Sequence, residues 1–204
     1  MKAIIKEGEK SGFTLIEMIG VIAILSILFS LLIPKIFDAI EDSKIDVILK
    51  TYDTVKSAVA THIAKNNGKI VDRNGNLITY SRTVDSELVA QGFLSGRIAD
   101  KIGIGSTNPL YTWLGIGVID GQLTQWDFNG DGVIDLKDDS DRIVKIKIGS
   151  LPRKIAWQVS KRIDGETLSA TDINSADTKG SVIYGASHGS GDVITEVFIY
   201  IYNF

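Results

Sequence analysis

Two places in this chain combine residue types that could do chemistry. The first is DFNGDGVIDLKD, residues 127–138, where oxygen-bearing side chains recur: Asp127, Asn129, Asp131, Asp135 and finally Asp138. Gly132 stands at the sixth place, where a chain wrapping round a small centre turns sharply. Hard oxygens at this spacing, with the Val133 carbonyl between them, form the donor set of a twelve-residue Ca²⁺ loop. Carboxylates this close repel one another unless a cation is present. The expectation is one structural Ca²⁺ held by Asp127, Asn129, Asp131, Val133, Asp135 and Asp138, with Ile134 as an apolar anchor. The alternative for the same residues is a solvated Asp/Asn/Gly turn. The second place is Glu17, the single charge in an otherwise apolar run from Phe13 to Ile33. An acid in such a stretch is expensive and functional by default.

The element that positions Glu17 is the run itself. Lys2, Lys6 and Lys10 precede it, and it ends at Ile33-Pro34-Lys35 without the small-x-small site of a removable secretory signal. Twenty-one residues, Phe13 to Ile33, suffice to cross a hydrocarbon core of ~30 Å as a helix. Basic residues upstream place the N-terminus in the cytoplasm and the rest of the chain across the membrane. A buried core helix is the competing reading, and it must explain a run this long and evenly apolar.

The stretch GFTLIEMIGVIAIL, residues 12–25, resembles the processing and polymerisation signature of the type IV pilin family, which includes the pseudopilins of type II secretion. The resemblance covers residues 1 to about 65. It implies that a prepilin peptidase cuts between Gly12 and Phe13, removing the leader 1–12, and that the new Phe13 amine is N-methylated. It implies a transmembrane and polymerisation helix over 13–35 and a globular head over 36–204. It further implies that Glu17 neutralises the N-terminal amine of a neighbouring subunit, since two charges costly in an apolar bundle become tolerable as a pair. The alternative for Glu17 is a carboxylate that reaches the lipid headgroups. The implied partners are membrane lipid before assembly, the peptidase, an inner-membrane assembly platform and further copies of the chain in a helical homopolymer. With Asp at its last place, the 127–138 loop is similar to the dockerin type. A dockerin needs two loops, however, and neither DINSAD (172–177) nor DRNGN (72–76) completes a second.

The helix is expected to continue past the membrane to Asn66. Ile36, Ile40, Ile45, Ile48, Leu49, Tyr52, Val55, Val59 and Ile63 trace one stripe over an amphipathic segment 36–66, which stops at Asn67-Gly68. Pro34 should bend or loosen it, Gly20 is a weaker soft point, and the resemblance suggests partial unwinding there. Beyond it the period changes to two. Asn74-Gly75 reads as a two-residue hairpin turn, and SELVAQGFL as a short helix ending at Gly92. YTWLGIGVI, RIVKIKIG, KIAWQVSK, SVIYG and DVITEVFIYIYNF read as strands, with Lys145 and Lys147 facing out. DGETLSATDINSADTKG reads as a polar surface loop. The sum is an α+β fold: a long N-terminal helix, transmembrane then amphipathic, packed on an antiparallel sheet.

Composition excludes several function classes. A net charge of −3 with scattered lysines argues against nucleic acid as the main partner. Zero Cys removes disulfides and thiol chemistry. His62 and His188 are isolated, and the Gly-rich stretch 185–191 precedes a strand, so it lacks the context of a phosphate cradle. No enzymatic constellation is present, and the three tryptophans read as core or subunit-contact residues. The expectation is a type IV pilin assembled into an extracellular filament. The alternatives are a pseudopilin in a periplasmic pseudopilus and a membrane-tethered calcium-dependent adhesin module.

Overall fold

The computed structural model describes residues 12–79, 83–102, 112–117, 124–137, 142–185 and 193–204. The leader residues 1–11, Asp138 and His188 lie outside these. The chain divides into two compact units, with the boundary between Glu41 and Asp42. Helix α1, Leu15–Lys65, contributes to both.

In the first unit every side chain from Gly12 to Ile40 is exposed. The apolar residues are exposed, and the helix is held by its own backbone ladder. Ser26 and Ser30 hydroxyls donate to the carbonyls of Ile22 and Ile27, both at 2.8 Å, which removes their polarity from the apolar surface. The helix runs through both Gly20 and Pro34, so the partial unwinding implied by the resemblance is absent from this single chain. A proline removes one ladder bond, and the remaining bonds carry the helix past it.

In the second unit α1 buries Ile45, Ile48, Tyr52, Val55, Val59 and Ile63, the expected stripe from Ile45 onward, while Ile36 and Ile40 stay exposed. It ends on Asn67 with φ 53° and Gly68 with φ 80°, and the Gly68 amide donates to the Ile63 carbonyl at 3.0 Å. That left-handed exit satisfies a carbonyl the last turn would otherwise leave open. Val71 and Leu77 then bridge across a turn in which the Gly75 amide donates to Asp72 and the Asp72 amide to Asn76. The loop is therefore three residues, 73–75. The two-residue turn expected at Asn74-Gly75 needs positive φ at both positions, and only Gly75 has it. Helix α2, Val84–Ala90, stops before Gly92 as expected, and α3 spans Ile98–Ile102.

The main sheet is antiparallel in the order β1 (Trp113–Ile116), β4 (Ile143–Pro152), β6 (Val193–Asn203), β5 (Val182–Tyr184). A two-stranded hairpin, β2 (Gln125–Trp126) with β3 (Leu136–Lys137), carries the 127–135 loop. KIAWQVSK is not a strand. Helix α4, Arg153–Asp164, follows Pro152 and buries Ile155, Ala156, Val159 and Ser160, a helical spacing that the short apolar run disguised.

One face of the sheet, Val144, Ile146, Ile148, Val197, Ile199 and Ile201, shares the main core with α1. The other face is also covered. Trp126, Ile143 and Ile183 form a second cluster with Phe128, Leu136, Phe198 and Tyr200. Lys145 and Lys147 lie beneath it, 0% and 5% exposed, rather than facing water. Lys145 Nζ donates to Thr124 Oγ1 at 2.8 Å, Lys147 pairs with Glu196, and both ammonium groups lie over the Phe198 ring. Alternation predicted their face correctly, but not the hairpin that covers it. Trp113 and Trp126 are buried and Trp157 is half-buried, its Nε1 donating to the Ala170 carbonyl.

Candidate functional site

At the start of α1, Thr14 stands immediately before the first helical residue and Glu17 three positions later. The Thr14 amide and hydroxyl both donate to Glu17 Oε2 at 2.8 Å, and the Glu17 amide reaches back to Thr14 Oγ1 at 3.3 Å. This reciprocal capping box satisfies orphan donors at the helix end and gives the carboxylate partners within its own chain. The T-x-x-E spacing announces the box in the sequence, yet Thr14 was not singled out there. Gly12 and Phe13 precede it in non-helical backbone, and the Phe13 side chain is 81% exposed.

The 127–135 loop is built by its own side chains. Asp127 Oδ1 and Oδ2 accept from the amides of Gly130 and Gly132 at 2.7 and 2.9 Å. Asn129 Oδ1 accepts from Asp131 and Asp131 Oδ1 from Val133, at 2.9 and 2.8 Å. Asp135 Oδ2 accepts from the Phe128 amide at 2.8 Å. Gly130 and Gly132 take φ of 77° and 87°, a region closed to most side chains. The loop leans on the segment after α4. The Gly180 amide donates to the Asp127 carbonyl at 2.8 Å, and a Cβ on Gly130 would stand 3.0 Å from Leu168. Ile134 is 37% exposed and Val133 64%. The expected anchor role of Ile134 falls instead to Trp126, Phe128 and Leu136.

The donor chemistry of the loop suits a hard cation, and among the described residues no Lys or Arg pairs with Asp127, Asp131 or Asp135. The described side chains do not, however, converge on a point. No three Asp, Glu or His among them are grouped to hold a metal ion. Each carboxylate is turned onto a loop amide and keeps further lone pairs for another partner.

Two titratable groups buried in the head were not anticipated in their roles. His62 is fully buried, accepting from the Val71 amide at 3.1 Å and meeting the Phe93 ring edge-on at 4.9 Å. Burial holds its pKa below the ordinary imidazole value. Asp177 lies in the segment read as a surface loop, yet it is 2% exposed. It accepts from the Ser160 hydroxyl, and its backbone bridges Tyr184 in both directions. Burial pushes its carboxyl up to about 6, the Ser160 hydrogen bond only partly compensating. Neither residue type nor spacing reveals such a role, because Asp177 is polar within a polar run.

Residues 9–33 match the family described as the prokaryotic N-terminal methylation motif. The chain carries the type IV pilin–pseudopilin signature. No curated protein and no solved structure matches the chain. The signature spans the Gly12–Phe13 junction, the capping box and the exposed apolar helix. It is the mark of pilin-like proteins processed by prepilin peptidase, and it points to a structural subunit. The pilin-like helix carrying it is long and apolar enough to cross a membrane, with none of its most apolar window buried, consistent with a membrane-anchored precursor.

Proposed function

We propose that this protein is the structural subunit of a type IV pilus-like filament, cut between Gly12 and Phe13, methylated on Phe13 and assembled through its N-terminal helix. The observation that carries the reading is an exposed apolar segment of α1, Leu15 to Ile40, with Glu17 at the fifth position of the chain that would begin at Phe13, inside the matched motif. An acid there serves no simple anchor, since a tether does not need it. In assembly the carboxylate would exchange the Thr14 donors of its own cap for the Phe13 ammonium of a neighbour, a charge-assisted contact stronger than neutral ones.

Electron microscopy of sheared surface filaments, with intact-mass measurement of their subunit, tests this. The subunit should begin at methylated Phe13, and its net charge should move from −3 to −4, because three lysines and two glutamates leave with the leader. Surface material that retains the leader overturns the reading. Short periplasmic fibres with no surface filament would assign the protein to the pseudopilins instead.

The head carries the calcium part of the proposal. Ca²⁺ would be held by Asp127, Asn129, Asp131, Asp135, Asp138 and the Val133 carbonyl, once side chains now turned onto loop amides reorient. The twelve-residue pattern, the lack of a Lys or Arg partner for Asp127, Asp131 and Asp135 among the described residues, and the absence of Cys from the chain support a structural ion here.

A further inference from the structure

Strand β5 stands at the end of the main sheet and pairs along its length with β6 alone. Such an edge offers a row of backbone donors and acceptors to any strand that arrives. The run Val182-Ile183-Tyr184 is β-branched and aromatic, the composition that makes an edge adhesive. Its outward backbone groups are nonetheless taken. Gly180 donates to the Asp127 carbonyl at 2.8 Å, and Tyr184 exchanges two amide–carbonyl bonds with Asp177, both at 2.9 Å. Between those points the partner is a side chain. Asp164 Oδ1 accepts from the Ser181 amide at 2.7 Å, and Oδ2 from the Val182 amide at 2.8 Å. Amides two residues apart leave a strand on the same side, so Val182 points outward as Tyr184 does. The carboxylate stands where the carbonyls of a further strand would stand.

That placement has a cost. Asp164 is the last residue of α4, the helix end whose dipole disfavours an acid. Burial pushes its carboxyl up, against the pull of both amides. Among the described residues no Lys or Arg pairs with it, so the two amides are what hold the charge. Gly180 makes room for it: its φ is 74°, and a Cβ there would stand 2.5 Å from Asp164 Cγ. Water could satisfy both amides without that cost. A carboxylate differs from water because an arriving strand would have to evict it and leave a desolvated charge without its donors.

We propose that Asp164 is an edge plug, whose carboxylate occupies the two amides through which β5 would otherwise pair with β5 of a second copy of this chain. A second copy is the fitting partner because two identical edges run antiparallel about a twofold axis and are self-complementary. The plug belongs to the head alone, so it stands whatever the outcome for the filament or for calcium.

Amide hydrogen exchange by NMR, on the full leader-cleaved chain in detergent micelles, tests the proposal at Ser181 and Val182. In the parent protein both amides should be protected equally at micromolar and millimolar chain. In Asp164→Ala they should exchange at least about tenfold faster in dilute solution and regain protection as concentration rises, because a second copy then supplies the acceptors. Association through the N-terminal helix does not register at these two amides. Asp164→Asn keeps one acceptor oxygen and the shape of the side chain, so it should fold and show the same concentration dependence at smaller size. Freely exchanging Ser181 and Val182 amides in the parent overturn the proposal. So does exchange that is independent of concentration in both variants.

Discussion

Between Leu15 and Ile40 helix α1 exposes every side chain, whereas from Ile45 to Ile63 the same helix buries nine. The backbone is identical in kind, and isoleucine and leucine serve both halves. What differs is the solvent each half is prepared for. The head half finds its partner in the chain itself, in the sheet face of Val144, Ile146, Val197 and Ile199. The N-terminal half is exposed along its length and is long and apolar enough to cross a membrane. Acids follow the same division. Glu17 is satisfied by a neighbouring turn only three residues away, while Asp177 is satisfied by Ser160, seventeen residues away on another element. A contact that local can be exchanged without unfolding anything. One built into the core cannot.

Substitutions that separate assembly from folding break this comparison most sharply. Glu17→Ala should abolish most filament assembly while the purified protein keeps the head's melting temperature. Normal filament yield from that variant would remove the acid from assembly altogether. Within α1, Ile48→Ala should cost the head about 2–5 kcal/mol, a core cavity, whereas Ile24→Ala should leave head melting unchanged. Equal losses from the two, measured by chemical denaturation in detergent, would show that the halves are not energetically distinct.

Calcium sharpens the contrast from the head's side. At ~100-fold excess over its dissociation constant, an ion bound only by the folded state adds about 2.7 kcal/mol. That is roughly 5–10 °C in melting temperature for a head of this size. Asp127→Ala or Asp131→Ala should remove the rise, and identical melting in millimolar calcium and in chelator would return the loop to a hydrogen-bonded turn.

The smallest effects come from pH, and the two buried groups oppose each other. The Asp177 carboxyl titrates higher folded than unfolded, so its contribution is present in acid and lost as pH rises from about 3.8 towards 6. His62 titrates lower folded, so its contribution is present above about 6.5 and lost as pH falls below that. Asp177→Asn should leave the His62 loss unopposed, making melting fall more steeply from pH 7 to 5 than in the parent protein. A parallel pair of melting curves would show that Asp177 does not titrate in the folded head.

Much of this was legible residue by residue, and the exceptions share one cause. The α1 stripe, the Asn67-Gly68 stop, α2 and the long terminal strand follow from local periodicity and turn chemistry. KIAWQVSK misled because eight residues fit either period, and Pro152 with the buried Ile155, Ala156 and Val159 decided for a helix. Lys145 and Lys147 misled because alternation tells which face a side chain takes, not whether another layer covers that face. The Glu17 cap was written in the T-x-x-E spacing. The burial of Asp177 was not written anywhere, because it depends on α4 and β5 meeting over a polar segment.

By itself, the sequence determined the N-terminal end of this protein: the Gly12–Phe13 junction, the placement of Glu17 and a helix too apolar to stand in water. Those properties are local, set by neighbours within a turn or two, so order along the chain suffices to read them. The tertiary structure alone decided that both sheet faces are covered, that two lysines and Asp177 lie inside, and that Tyr184 packs in the main core with its hydroxyl unpaired. Burial is a property of pairs of elements distant in sequence, and only their packing brings the second member of each pair into place.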